Sequence, residues 1–124
     1  MKEEKGKPEN LIVRTREFAL RIIRLYTALP QQTVAQVLGK QMLRSGTSVG
    51  AHYREAQRAK SDADFINKIE GALQELEETV YWLELLAESG VMAAERLAPL
   101  QQEADELLAI LTAIVRNVKN KSAP

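Results

Sequence analysis

The chain has 124 residues, 45% of them apolar and 27% charged, which is single-domain size and the composition of a folded globular protein. It contains no cysteine, so disulfides and thiolate metal sites are excluded. Seventeen basic side chains cancel seventeen acidic ones, and no run of about 18 apolar residues is present to cross a membrane.

Residues 1–9 are charged and lack the apolar stretch of a signal peptide, so they read as a flexible N-terminal segment of a soluble, cytoplasmic protein. Asn10 then caps a first helix in which Ile12, Ala19, Ile22, Ile23 and Tyr26 recur at helical spacing, with Leu11, Phe18 and Leu25 on one flank. Pro30 stops it near Leu29. Thr33 is the expected cap of a second helix, with Val34, Val37, Gln41, Ser45, Ser48, His52 and Ala56 on one side. A third helix starts at Ser61, which forms a capping pattern with Asp64, and ends at Gly90. The fourth begins around Ala93, with Pro99 near its start, and gives way to a flexible tail at 120–124.

The last two helices carry the clearest pattern. Ile66, Ile69, Leu73, Leu76, Val80, Leu83 and Ala87 alternate three- and four-residue steps, as do Leu97, Leu100, Ala104, Leu107, Leu111, Ile114 and Val118. Such seams and the short joint at Gly90 predict an all-α, antiparallel up-down four-helix bundle over residues 10–119. The second helix departs from this design. Gly46 and Gly50 each cost a helix about 1 kcal/mol relative to alanine, which predicts close approach of another helix there.

Charge is unevenly placed. Residues 1–60 hold twelve Lys and Arg against five acids, a net +7, and residues 61–124 hold the reverse, a net −7. The halves either neutralise each other or leave a basic surface with a use. The candidate phosphate-contacting residues are Arg14, Arg21 and Arg24 on the first helix, and Lys40, Arg44, Arg54 and Arg58 on the second. Near the end of the third helix the run from Tyr81 to Leu86 is apolar nearly all round, so Trp82 and Leu85 project away from the bundle seam. With Gly46 and Gly50, they form the candidate oligomer interface.

Catalytic signatures are missing from the pattern. His52 is the only histidine and has no second histidine or cysteine for a metal site. Glu75 and Glu78 share a helix face but lack the Glu-x-x-His of a di-iron bundle, and no phosphate-binding glycine loop occurs. The expectation is a non-enzymatic protein with no cofactor and no metal.

The segment Arg44-Ser45-Gly46-Thr47-Ser48-Val49-Gly50-Ala51-His52-Tyr53-Arg54-Glu55-Ala56, followed by Ser61, Asp64-Phe65, Gly71 and Glu75-Leu76-Glu77, resembles the bacterial four-helix-bundle family of 23S rRNA intervening-sequence proteins. The resemblance covers roughly residues 10–118 and is most specific over 44–86. It departs at His52, where asparagine is usual, and at Ala56, where glycine is common. It implies an up-down bundle assembled into a homopentameric ring, as in the related accessory proteins of diversity-generating retroelements. For partners it implies further copies of this chain. The alternative is an accessory factor binding RNA or DNA, with a protein partner such as a reverse transcriptase.

Overall fold

The computed structural model describes residues 10–122 and contains four helices, α1 (Leu11–Thr27), α2 (Thr33–Ala56), α3 (Asp62–Glu88) and α4 (Ala94–Ser122). The expected N-terminal segment 1–9 lies outside the described residues, as do Ala123 and Pro124. Five-residue links join successive helices, too short for anything but antiparallel neighbours. α2 and α3 approach each other most closely, α1 and α4 close the bundle more loosely, and the diagonal pairs make no close backbone approach among the described residues.

The helix ends follow local chemistry. The Asn10 side chain accepts from the Val13 amide at 3.2 Å, and Ser61 accepts from that of Asp64 at 3.0 Å. Gly90 takes the left-handed conformation (φ 80°) that lets the chain leave α3. Thr33 does not cap α2. Gln32 occupies that position without a side-chain bond, and Thr33 is the first helical residue. α1 stops at Thr27, before the expected Leu29, and the buried Leu29 packs into the core instead. α4 runs straight through Pro99 and on to Ser122, three residues into the expected tail.

The α3 and α4 seams appear largely where the heptads put them. Ile69, Leu76, Leu83, Leu97, Leu100, Ala104, Leu107 and Leu111 are buried. Between the large α3 residues, however, the buried positions are Ala72, Thr79 and Leu86, while Ile66, Leu73, Val80 and Ala87 are half-buried. In α4, Val115 is buried and Ile114 and Val118 are partly exposed. A straight helix drifts by about 20° per heptad against a 3.5-residue seam, which moves the last contact on by one position.

The faces of α1 and α2 differ from expectation. α1 buries Leu11, Thr15, Phe18 and Ile22, while Ile12 and Ile23 remain on the surface. Two apolar stripes lie one residue apart on this helix, and period alone does not choose between them. α2 buries Ala35, Gly39, Met42, Ser45, Gly46, Val49 and Ala56, and leaves Val34 and Val37 more than half exposed. Close approach decides that face. A Cβ on Gly46 would stand 2.8 Å from Cγ1 of the fully buried Ile22, and one on Gly50 would stand 3.1 Å from Oγ1 of Thr15. Both glycines therefore serve the contact between α1 and α2 of one chain.

On its other side α2 is tied to α3 by a hydroxyl pair. Thr79 donates to the Glu75 carbonyl at 2.8 Å, and its oxygen lies 2.8 Å from Oγ of Ser45, which is therefore the donor to it. Both residues are fully buried, so the pair satisfies groups that would otherwise be stranded.

Replacing Gly46 by alanine is expected to destabilise the protein by about 1–3 kcal/mol in urea unfolding, because Ile22 is branched next to its backbone and has no free space. Helix propensity alone predicts stabilisation by about 1 kcal/mol. A raised midpoint would show that α1 does not rest on this glycine.

Candidate functional site

The seven candidate bases separate into two groups. Arg14 reaches across from α1 to α4, where Nε lies 2.7 Å and Nη2 2.9 Å from the two Glu103 oxygens, and Nη2 also lies 2.8 Å from Glu106. Arg44 spans α2 and α3, 2.6 Å from Glu78 and 3.2 Å from Glu75. Lys119 and Glu70 add a weaker bridge between α4 and α3 at 3.2 Å. For Arg14 and Arg44 the two halves of the chain do neutralise each other.

Arg21, Arg24, Lys40, Arg54 and Arg58 have no carboxylate within 4 Å among the described residues, and neither does Arg16, which the sequence pattern did not single out. These six do not form one stripe. Arg21 lies two turns beyond Arg14 on the flank of α1 that faces α4. Arg16 and Arg54 rim a groove of about 380 Å³ on the opposite side, between α1 and α2. Its floor is made by Thr15, Ala19, Thr47, Gly50 and Ala51. The Thr15 hydroxyl donates to the Leu11 carbonyl at 2.6 Å and that of Thr47 to Leu43 at 2.8 Å, so both use their protons on their own helices. Ile12 and Arg58 continue the rim towards the end of α2.

Along the α2–α3 seam Gly71 makes room for the His52 ring, since a Cβ there would stand 3.0 Å from Nδ1. His52 lies between two carboxylates, with Nε2 3.7 Å from Glu75 and Nδ1 3.7 Å from Glu55. These distances exceed a hydrogen bond and become ion pairs only when the ring is protonated. Ser48 donates to the Arg44 carbonyl at 2.7 Å, and among the described residues neither Ser45 nor Ser48 has an acid–base partner. Burial raises the Tyr53 hydroxyl above the ordinary phenol range. Among the described residues no cluster of three or more His, Asp or Glu could hold a metal ion.

Trp82 and Leu85 are half-buried on the edge of α3 that meets α2. The antiparallel register set by Ser45 with Thr79 and His52 with Gly71 carries Trp82 towards Gln41 and Met42, and Leu85 towards Leu38 and Gly39. Trp82 stacks edge-on against Tyr81, with ring centroids 5.0 Å apart, and its Nε1 is buried with no acceptor among the described residues. Tyr81, Val34 and Val37 are each more than half exposed. The sequence pattern had put both valines on one side of α2 with Ser45 and Ala56, which are buried, so their exposure became visible only with the helix orientation. No helix among the described residues is long and apolar enough to cross a membrane.

Comparison with known proteins bears on this arrangement. A solved structure of a protein of unknown function from the S23 ribosomal protein family of Bacteroides thetaiotaomicron VPI-5482 is 43% identical, covering 84% of this chain and 96% of that one, with a TM-score of 0.79. Comparison with curated proteins gives no match. The profile of the 23S rRNA-intervening sequence protein family matches residues 9–113. Fold, sequence and match agree, and the chain belongs to the 23S rRNA-intervening sequence protein family.

Proposed function

We propose that this protein is a non-enzymatic cytoplasmic helical scaffold that self-associates as a homopentamer and offers a surface to a macromolecular partner. The observation that carries this reading is the apolar surface left outside the core, where Val34, Val37 and Tyr81 are exposed and Trp82 and Leu85 half-exposed. Exposed apolar side chains on α2 and α3 at one edge of a bundle are best covered by another protein surface. The side chains with nucleophilic or acid–base chemistry are taken up in structural bonds or lack partners, which supports a binding role over a catalytic one.

A second reading rests on cations without counter-charges. Arg21, Arg24 and Lys40 lack carboxylate partners among the described residues, and in a ring each would be repeated around the axis. Such an array suits RNA or DNA backbone contact, with a reverse transcriptase as the protein partner that the family resemblance suggests.

Light scattering at tens of micromolar should report an oligomer, and Trp82→Ala should weaken it by a few kcal/mol. Because Trp82 is also part of the bundle, Val37→Glu supplies a surface variant that should lower the mass while circular dichroism stays helical. A monomeric wild-type protein would refute self-association.

For nucleic acid, affinity for structured RNA should fall steeply with salt. The Arg21→Gln, Arg24→Gln double variant should flatten the log–log slope by up to about two units without changing the oligomer. Absence of binding at low salt, or binding indifferent to salt, would remove this second reading.

A further inference from the structure

We infer that the groove between α1 and α2 is the receptor for the outer face of α3 from a second copy of this chain. The inference rests on the self-association proposed above and names one pair of faces that meet in it, which takes Tyr81 from the apolar surface and leaves Val34 and Val37 outside the pair. On the solvent side of α3, Glu70, Gln74, Glu77, Tyr81, Glu84 and Glu88 repeat in steps of four and three, the spacing of a helix-packing seam. Glu70 is occupied by Lys119, whereas Glu77, Glu84 and Glu88 have no cation within 4 Å among the described residues. Tyr81 stands 52% exposed in the middle of this acidic row.

The groove complements that row in shape and charge. Its floor has only small side chains, with Ala19, Gly50 and Ala51 at its centre, so a helix ridge bearing one aromatic ring can settle between α1 and α2. Arg16 and Arg54 stand on its opposite rims without carboxylate partners among the described residues, and Glu77 and Glu84 flank the tyrosine by about one turn on either side. The internal ion pairs thus leave an excess of cations around the groove and an excess of carboxylates on α3.

The pairing is intermolecular by geometry. α1 and α3 occupy diagonal corners without close backbone approach, so the α3 outer face cannot reach the groove of its own chain. The two faces differ, and a contact between unlike faces propagates head to tail until it closes into a ring or continues as a filament. A nucleic acid is a poorer occupant of the groove. Its phosphates would find the arginines, but the two threonine hydroxyls on the floor donate to their own helices rather than to base edges.

The test is charge reversal on the full chain, read by light scattering, with circular dichroism to confirm folding. Arg16→Glu with Arg54→Glu should raise the apparent dissociation constant of the assembly at least about tenfold, as should Glu77→Arg with Glu84→Arg. The chain carrying all four substitutions restores opposite charges across the contact and should recover the wild-type mass. All four positions are exposed in the protomer, so folding should survive. Double variants that keep the wild-type mass would overturn the groove assignment and leave self-association standing. A folded quadruple variant that fails to recover would also overturn it. Loss of structured-RNA binding with unchanged mass would give the groove to nucleic acid instead. A wild-type monomer would remove both this contact and the reading beneath it.

Discussion

The fold depends on how closely α1 rests on the backbone of α2. At Gly46 no side chain separates the helices, and Ile22 fills the space a methyl group would take. Gly39 and Gly50 extend the same contact towards the two ends. Each glycine weakens the helix locally by about 1 kcal/mol, a cost that burial of large α1 side chains offsets at about 25 cal/mol per Å² of apolar surface. The closeness also determines what lies on the outside. With its α1 face made small, α2 turns Val34 and Val37 outward, and the small residues at its end of the contact leave a shallow groove.

The other junctions are held by different means. α2 and α3 meet over the buried Ser45–Thr79 pair, which is directional and worth about 1 kcal/mol net. α1 and α4 are farther apart, and the Arg14 fork with Glu103 bridges them while both side chains are largely covered. A bidentate, partly buried pair fixes orientation better than a single exposed one, whereas Lys119 with Glu70, half-exposed on both sides, adds little. Charge separation along the sequence thus does two things. It closes the bundle at Arg14 and Arg44, and it leaves the remaining charges segregated by surface.

Much of this was legible in the residues. Asn10, Ser61 and Gly90 mark helix ends through bonds or dihedrals that depend on nearby atoms alone, and the α3 and α4 seams are long enough for their period to be unambiguous. The faces of α1 and α2 were not legible for the same reason in reverse. α1 has apolar residues on adjacent stripes, and α2 buries small residues while exposing valines, so hydrophobicity is a poor guide to which side faces inward. The candidate site suffered accordingly. Spacing grouped Arg14 and Arg44 with the other bases, because a cation bound to a carboxylate about thirty or ninety residues away has no local signature. Arg16 was overlooked because it shares a groove with Arg54 that only tertiary packing creates.

Segregated charge on a neutral chain constrains what an assembly can be. A two-fold contact centred on either row would set that row against its own copy and would be repulsive. Opposite patches on different faces favour a head-to-tail contact, in which every copy gives one acidic row and receives one. Closure into a ring then satisfies each row without leaving unpaired ends, while a filament always exposes two. The cations outside the groove, Arg21, Arg24 and Lys40, take no part in that pairing. In the proposed ring their charge would stay available to a further partner, so the two proposed roles, self-association and phosphate contact, would draw on different cations of one basic half rather than compete for them.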